Sequence, residues 1–257
     1  MTRSNKVFRK YLIRLSLSVV IILVFCVGVT LFIQFYPFEK SLLLSDYPLK
    51  TITKSGKPGD PINILILGTK QTINRYFKEA GWKIPDPITD KTSVKIAVAS
   101  LGNLPYPTAP VSNLYLYHRK QDLAFEKPTN SVQIRDHIRL WKTHTTINDE
   151  EVWLGSATYD HGIELSGRSH LPTHHILPSV DEERKRVVQD LKPFMKSTLV
   201  VSFDQPNLFG FNGGGDWYYT DGNIAVLSVQ PLNKNDFSTH SMALSLKQRV
   251  LQSFPQY

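Results

Sequence analysis

Residues 134–160, IRDHIRLWKTHTTINDEEVWLGSATYD, carry the clearest secondary-structure pattern in the chain. Its first eight residues alternate between two kinds of side chain, as in a β-strand whose successive side chains point to opposite faces. One face carries Arg135, His137, Arg139 and Trp141. The opposite face carries Ile134, Ile138 and Leu140. The pattern therefore predicts a strand with one apolar face in the core and one cationic face.

A polar turn at residues 148–150 separates this strand from a second β-rich run, EVWLGSATYD. Short polar turns between two strands are typical of antiparallel hairpins. Such a hairpin brings Asp160 and His161 near the far end of the first strand. The cationic face then has two interpretations. It is either a solvated strand face, which alternates in the same way, or a surface whose guanidinium groups bind phosphate or carboxylate.

The flanking sequence combines strand and helix patterns. PINILILGT, residues 61–69, is a short apolar run that ends in a turn, which indicates a buried strand. Residues 69–82 place apolar side chains at helical spacing and reach a helix stop at Gly81. Further β-rich runs follow, and another helix is predicted over residues 180–194. We therefore predict a mixed α/β (α+β) domain with a mainly antiparallel or mixed sheet and a few helices.

The amino-terminal part of the chain predicts a membrane anchor. Residues 15–38 contain no charged side chain, and a helix of this length crosses a hydrocarbon core of about 30 Å. Residues 1–14 carry five basic side chains and no acid, so the positive-inside rule places this tail in the cytoplasm. A cleaved signal peptide is the alternative, but the run ends in FYPF rather than in small residues. We expect an uncleaved, single-pass anchor in the inner membrane and an extracytoplasmic carboxy-terminal domain.

Composition narrows the classes of function. The chain has a net charge of +8, but five of these charges lie in residues 1–14, which leaves three for the rest. This weak charge argues against nucleic-acid binding. The single cysteine, Cys26, lies inside the predicted anchor, which excludes a disulfide or a cysteine-based zinc site in the domain. Residues 39–60 show little periodicity and predict a linker, followed by one globular domain over residues 61–257.

A further stretch, THHILPSVDEER, residues 173–184, places two adjacent histidines before a predicted helix. We interpret Ser179 as the side-chain cap of that helix, with Glu182 reaching back to it. The helix dipole stabilises Asp181 and Glu182 in the first turn. Direct chemistry by these acids is the alternative to a capping role.

The histidines also raise the question of a metal ion. The side chains available for such a site are those of His137, Asp160, His161, His174 and His175. These groups suit zinc or manganese, and the metal candidates are His174, His175 and Asp160. No HExxH spacing is present, and adjacent residues of an extended segment point in opposite directions. A hydrogen-bonded polar cluster without metal is therefore the alternative.

Near the end of the chain, FGFNGGGDWYYTDGNIAV, residues 209–226, contains three successive glycines. The pattern predicts a glycine-rich loop that enters a hairpin with its turn at Asp221-Gly222. The alternative is a mobile loop whose backbone amides, with Asp216 or Tyr218, close over a ligand.

The order of these motifs resembles the LssY carboxy-terminal domain family. The resemblance covers most of the chain after the anchor and is carried by DPINILILG, AGW, YPTAPVSNLYLYHRKQDLAFEK, RDHIRLW, VWLGSATYD, THHILPSVDEER and GGGDWYYTDG. The family's polar positions map onto Arg135, His137, Arg139, Trp141, Trp153, Asp160, His174, His175, Asp181 and Arg184. The family is named for a secretion locus, and its domain is also found joined to membrane proteins that resemble phosphatidic acid phosphatases. The resemblance therefore implies work on the envelope or its lipids. The chain departs from the expected pattern at Leu177, where a carboxylate would follow the histidine pair.

Together these features lead us to expect an envelope protein whose anchored domain binds an anionic, phosphate-bearing lipid or glycan. Hydrolysis of a phosphate ester is the most concrete reaction, with arginines stabilising charge on oxygen and a histidine carrying the proton. A zinc or manganese ion is the cofactor that such a site would take. The expected catalytic residues are His137, Asp160, His174 and His175. The expected ligand-binding residues are Arg135, Arg139, Trp141, Arg184 and Asp216.

The alternative function is not catalytic. A tethered domain with a single span and little charge also suits an envelope or secretion component that docks onto another membrane protein. Exposed aromatic side chains such as Tyr106 or Tyr115 would then make the contacts.

Overall fold

The computed structural model describes three long segments of the chain, residues 50–165, 172–202 and 208–230. Near the amino terminus it also describes residues 14, 16, 18–25 and 27, which are helical.

The chain falls into two separate units, residues 1–46 and residues 47–257. Most of the predicted anchor, residues 15–38, lies outside the described residues. Among the residues that are described, no helix has the length and apolar character needed to cross a membrane. The anchor therefore stays a prediction from the sequence.

The second unit alternates strands with a few helices. The strands are β1 (Lys50–Ile52), β2 (Pro58–Pro61), β3 (Ile64–Leu67), β4 (Tyr115–Leu116), β5 (Arg119–Lys120), β6 (Leu123–Pro128), β7 (Arg135–Ile147), β8 (Glu150–Leu165), β9 (Pro172–Ile176), β10 (Ser197–Ser202), β11 (Phe209–Phe211), β12 (Trp217–Tyr219) and β13 (Asn223–Ser228). The helices are α1 (Lys70–Glu79), α2 (Asp90–Leu101) and α3 (Val180–Leu191), which continues into a 3₁₀-helix at Lys192–Phe194.

The largest sheet has seven strands. Its order is β10-β13-β3-β8-β7-β6, and β9 pairs with β8. Strands β13 and β3 are parallel, whereas the other neighbours are antiparallel. Two smaller sheets accompany it, β2-β1-β4-β5 and the β11-β12 hairpin. The predicted mixed α+β fold with a mixed sheet is therefore confirmed.

Strands β7 and β8 form the predicted hairpin at the centre of this sheet. Asn148 and Asp149 in its turn have φ values of 50° and 63°, a left-handed conformation that these two residue types adopt more readily than most. The register pairs Arg135 with Asp160, His137 with Thr158 and Arg139 with Ser156. The hairpin thus brings the acid at the end of β8 to the start of the cationic face.

Each face of the large sheet is covered by a different layer. On one face, Ile138 and Leu140 of β7 pack in a cluster with Phe77 of α1 and Val187 of α3. On the other face, Trp141 packs in a cluster with Leu114, Leu116, Leu154 and Val226. The cationic residues of β7 share this second face and are buried. The interpretation as a solvated strand face is therefore wrong.

The folded domain begins earlier than the predicted boundary at residue 61, because β1 and β2 lie within the predicted linker, residues 39–60. Thr51 is buried, and its hydroxyl donates to the backbone carbonyl of Asp60 over 2.8 Å. A three-residue strand whose buried side chain is a hydrogen-bonded threonine leaves no apolar alternation in the sequence. This explains why the segment resembles a linker.

Candidate functional site

A polar pocket lies on the second face of the large sheet, where β7 and β8 meet the β1–β2 hairpin. Its volume is about 170 Å³. Its charged and imidazole lining comes from Asp60, Arg135, His137, Arg139 and Asp160. Four of these five residues were predicted as site residues, and the structure brings them together. We refer to this cavity as the sheet pocket.

Arg135 lines the sheet pocket and is only 2% exposed. Its Nη1 lies 2.5 Å from Glu126 Oε2 and donates to the Ala109 carbonyl at 3.1 Å. Its Nη2 donates to the Pro110 carbonyl at 3.3 Å. On the pocket side, its Nε is 3.5 Å from Asp160 Oδ2. The guanidinium is therefore held firmly by Glu126 and the backbone, and more loosely by Asp160.

His137 lies between the two arginines on the same face of β7. Its Nε2 is 2.6 Å from the Thr158 hydroxyl, and its Nδ1 is 3.4 Å from Asp160 Oδ1. Burial lowers the pKa of His137, while the nearby Asp160 opposes this effect. Because burial dominates, we treat the imidazole as neutral near pH 7. It is then a hydrogen-bonding group rather than a third cation.

Arg139 pairs with an acid that the sequence interpretation missed. Its Nη1 is 3.3 Å from Asp60 Oδ2, and its Nε donates to the Ser112 carbonyl at 2.9 Å. Asp60 is buried and lies 3.5 Å from the Thr158 hydroxyl. It was assigned to the linker, although it is the first residue of the family motif DPINILILG. The presence of Asp60 in this motif is the signal from which it could have been predicted as a site residue.

Glu126 is a second missed acid and lies behind the sheet pocket rather than in its lining. It is fully buried on β6, opposite His137 in the register. Burial raises the pKa of Glu126 to about 8, against the opposing effect of Arg135. A buried carboxyl that keeps its proton near neutral pH leaves more of the positive charge of Arg135 uncompensated.

Contacts among the charged lining residues of the pocket are long. The three pairs measure 3.3 Å for Arg139–Asp60, 3.4 Å for His137–Asp160 and 3.5 Å for Arg135–Asp160. Charge-assisted hydrogen bonds normally measure about 2.7–2.9 Å. Each arginine makes its shortest bond elsewhere, Arg135 to Glu126 and Arg139 to Ser112. These three contacts are therefore longer than tight charge-assisted hydrogen bonds.

His175 and Asp216 form a separate pair at the edge of the sheet pocket. His175 Nδ1 lies 2.5 Å from Asp216 Oδ1, and Asp216 Oδ2 accepts from the Ile176 amide at 3.1 Å. The pair fastens the β11–β12 hairpin to β9. Ile176, not His175, lines the pocket. The side chain of His174 lies outside the described part of the structure.

The three glycines form the turn of the β11–β12 hairpin rather than a loop before it. The backbone amides of Gly214 and Asp216 donate to Asn212 Oδ1 at 2.9 and 3.0 Å. A Cβ on Gly213 would lie 2.6 Å from Thr53 Cγ2, so the turn packs closely against the β1–β2 hairpin. The predicted hairpin turn at Asp221-Gly222 instead connects β12 to β13, which do not pair with each other.

Arg184 was predicted to bind ligand, but it sits in a compact cluster outside the pocket lining. Its Nη1 donates to Asp181 at 3.0 Å, to Asp221 at 2.8 Å and to the Asn223 carbonyl at 2.7 Å. Its Nη2 donates to Asp221 at 2.7 Å. Asp181 also accepts from the Thr220 hydroxyl at 2.8 Å and from the Asp221 amide at 2.6 Å. We refer to Asp181, Arg184 and Asp221 as the Arg184 clamp.

The predicted capping interactions at the start of α3 are wrong. Ser179 makes no side-chain cap hydrogen bond. Asp181 turns instead into the Arg184 clamp, and Glu182 pairs with Lys185 on the surface at 2.7 Å. The long-range partners Thr220 and Asp221 therefore outcompete the local cap, which the sequence pattern cannot reveal.

Two aromatic predictions are also corrected. Trp141 is fully buried in the core, and its indole N–H donates to the Arg119 carbonyl at 3.0 Å, so it does not line the pocket. Tyr106 is only 4% exposed and donates to Asp86 at 2.7 Å, so it is not a docking residue. Tyr115 is half-buried in β4.

The metal candidates divide between two places. Asp160 lies beside His137 in the sheet pocket, whereas His175 pairs with Asp216 at the hairpin. His161 is exposed. Among the described residues, no group of three or more His, Cys, Asp or Glu side chains is arranged to hold a metal ion. The metal site therefore stays a prediction.

Comparisons with known proteins point to a single family. No curated protein and no solved structure shows significant similarity to the chain. The family model described as LssY C-terminus matches residues 43–224. This match covers most of the chain, including β1, β2 and the whole lining of the sheet pocket. The chain therefore belongs to the LssY C-terminus family.

Proposed function

We propose that this protein is anchored in the membrane by residues 15–38 and that its domain binds a small anionic group in the sheet pocket. One observation carries the proposal: two buried arginines line a pocket in which their contacts with the lining carboxylates are 3.3–3.5 Å long. A tetrahedral oxyanion offers several acceptors to such guanidinium groups. Arg139 would exchange its long contact with Asp60 for a shorter one with the ligand.

The size of the sheet pocket limits the ligand to a small group. Its volume of about 170 Å³ is below the roughly 300–1,000 Å³ of pockets for drug-sized ligands. A single phosphate or carboxylate group fits this scale, with the rest of a larger molecule outside. Gly213 and Gly214 also line the pocket. The small size of the pocket therefore favours a ligand that inserts only one phosphate group, such as the phosphate-bearing end of an envelope lipid or glycan.

Binding is supported better than hydrolysis. Both ring nitrogens of His137 already face protein groups, the Thr158 hydroxyl at 2.6 Å and Asp160 at 3.4 Å. To carry a proton to a substrate, the imidazole has to give up one of these contacts. The arrangement suits a neutral histidine that helps to position Asp160 and the ligand, and catalysis is a second step that needs its own test.

The binding proposal is tested with inorganic phosphate and an arginine-to-lysine exchange. Calorimetric titration of the full-length chain in detergent should give saturable binding, and Arg139→Lys should weaken it about tenfold or more because lysine lacks the planar fork. The matched control is Arg119→Lys, a half-exposed arginine outside the pocket that pairs with Asp122. It should leave the affinity unchanged. Equal affinities in wild type and Arg139→Lys would contradict the proposal.

Catalysis is tested with a chromogenic phosphate monoester and His137→Gln. If the domain is a phosphoesterase, wild type releases phosphate and His137→Gln loses turnover at least about a hundredfold while it still binds phosphate. Binding without release in wild type would restrict the function to ligand binding.

A further inference from the structure

The β11–β12 hairpin presents four aromatic side chains to solvent. Antiparallel pairing sets Phe209 opposite Tyr219 and Phe211 opposite Trp217, so all four lie on one face. Phe209 and Phe211 are each 58% exposed, and Trp217 and Tyr219 are each 45% exposed. Neighbouring rings lie 5.8–6.2 Å apart, so they form a continuous surface. We refer to this set as the aromatic face.

The aromatic face is not the core side of the hairpin. Tyr218, on the opposite side of β12, is 2% exposed and packs with Ile176 and Val180. When one face of an antiparallel sheet packs on the core, the other face normally carries polar side chains. A contiguous exposed apolar surface of this kind marks an interaction site.

The β11–β12 hairpin, which carries the aromatic face, contacts the first strand of the domain. Lys50, the first residue of β1, donates from Nζ to the Phe211 carbonyl at 3.1 Å and lies 4.8 Å from the centre of the Tyr218 ring. Eleven residues, 39–49, connect Lys50 to the end of the predicted anchor. Even fully extended, they span at most about 40 Å. A tether of this length allows the β11–β12 hairpin to reach the bilayer.

Basic side chains accompany the aromatic face. Lys54 and Lys57 are exposed on the turn between β1 and β2. This turn packs against the hairpin, because a Cβ on Gly213 would lie 3.5 Å from Lys57 Cβ. An aromatic hairpin packed against a turn with exposed lysines suits a membrane interface, where rings sit at the headgroup level and cations attract anionic lipids.

From these observations we propose that the aromatic face docks into the headgroup region of the membrane that holds the anchor. The occupant is an anionic lipid surface. The inference rests on the anchor in the proposed function but not on phosphate binding. Because Asn212, Gly213 and Gly214 of the same hairpin line the sheet pocket, docking brings that pocket to the lipid headgroups.

The docking has an intrinsic fluorescent probe. The chain has four tryptophans, and none lies in residues 15–38. Trp82, Trp141 and Trp153 are at most 1% exposed, whereas Trp217 belongs to the aromatic face. The full-length chain is reconstituted into vesicles of phosphatidylglycerol and phosphatidylcholine with brominated acyl chains, and its fluorescence is compared with that in unbrominated vesicles. We expect brominated lipid to quench the tryptophan emission. We expect Trp217→Phe to abolish most of this quenching.

Two double variants separate docking from chance contact. Phe209→Ser with Phe211→Ser should reduce the quenching of Trp217 several-fold. The control, Val94→Ser with Val98→Ser, removes exposed apolar side chains of α2 and should leave quenching unchanged.

Three outcomes overturn the proposal. If the chain floats with the vesicles but brominated lipid leaves its emission unchanged, the anchor stands and the docking does not. If the chain does not float at all, both the anchor and the docking fail. If quenching is equal in wild type and in the phenylalanine double variant, the aromatic face is not the contact. Phosphate titration in detergent reports on the sheet pocket independently of these results.

Discussion

The sheet pocket and the Arg184 clamp both hold buried arginines beside carboxylates, yet their geometries differ. In the clamp, the bonds of Arg184 measure 2.7–3.0 Å and end on Asp181, Asp221 and a backbone carbonyl. In the pocket, the contacts among charged lining residues measure 3.3–3.5 Å. The three residues of the clamp do not line the sheet pocket, whose volume is about 170 Å³.

Buried charge alone therefore does not identify a ligand site. The clamp joins the start of α3 to the β12–β13 connection, so its charges hold the fold. In the pocket, short contacts with Glu126 and Ser112 hold the two arginines in place, whereas their contacts with Asp160 and Asp60 are longer. We therefore expect substitutions in the clamp to change stability, and substitutions in the pocket to change ligand affinity as well.

The largest expected effect is that of Arg184→Ala. This change leaves the carboxylate of Asp181 buried without its cation, and breaking a buried ion pair from one side costs about 3–5 kcal/mol. Urea unfolding should show the loss of stability, and the folded fraction should bind phosphate as wild type does. Lys185→Ala is the matched control, since Lys185 pairs with Glu182 on the exposed side of the same helix. A loss below about 1 kcal/mol for Arg184→Ala would contradict the structural role.

The next effect is the pH dependence that Glu126, behind the sheet pocket, gives to the stability of the domain. The folded state keeps the Glu126 proton up to a pKa of about 8, whereas the ordinary value is 4.5. The folded state therefore binds more protons between these values, and the free energy of unfolding falls as pH rises. We expect a loss on the order of 3 kcal/mol from about pH 5 to about pH 8.

Glu126→Gln should remove this part of the slope, because glutamine does not titrate. The buried Glu183, whose pKa burial raises to about 10, adds a slope of the same sign that the variant keeps. Urea unfolding of both proteins across this pH range measures the difference. Parallel curves for wild type and Glu126→Gln would show that Glu126 is ionised in the folded state.

Asp60→Asn tests the pocket from the opposite direction. The change removes the carboxylate that competes with an anionic ligand for Arg139. If the sheet pocket binds anions, phosphate affinity should rise about tenfold, which corresponds to about 1.4 kcal/mol. If Asp60 serves only to neutralise Arg139, the variant should lose stability and gain no affinity. Calorimetric titration and urea unfolding of the same preparation distinguish the two results.

The sequence predicted the centre of the fold because alternation and turn chemistry are local. Strand β7, its apolar face, the turn before β8 and the antiparallel pairing followed from residues 134–160. The helix over residues 180–194 was predicted from periodicity and is present as α3 and its 3₁₀ continuation. These elements depend on neighbours within a few residues, which a single sequence displays directly.

The rest of the site depends on distant pairings that no local pattern encodes. Asp60 meets Arg139 across 79 residues, and Asp181 meets Thr220 across 39. The local sequence pattern predicts a linker around Asp60 and a helix cap around Asp181. It therefore shows neither of these two pairings. Trp141 shows a related limit of sequence-based prediction. The alternation places Trp141 on the correct face of β7, but it does not show that Trp141 belongs to the apolar core on that face rather than to the pocket.

The smallest expected effect comes from the exposed member of the clamp, Asp221. Its hydrogen bonds with Arg184 hold the pKa of Asp221 well below the usual range, so this contribution to stability is present above the ordinary pKa and is lost as pH falls. This change of stability with pH is opposite in sign to that of Glu126. Because the Asp221 side chain is 45% exposed, solvent screens the pair, and Asp221→Asn should cost at most about 1 kcal/mol at neutral pH and less in acid.

Asp149→Asn is the control, since asparagine also adopts the left-handed conformation of that exposed turn residue. Urea unfolding at neutral and acidic pH measures both variants, and an equal cost of Asp221→Asn at the two pH values would show that the charge of Asp221 does not stabilise the clamp.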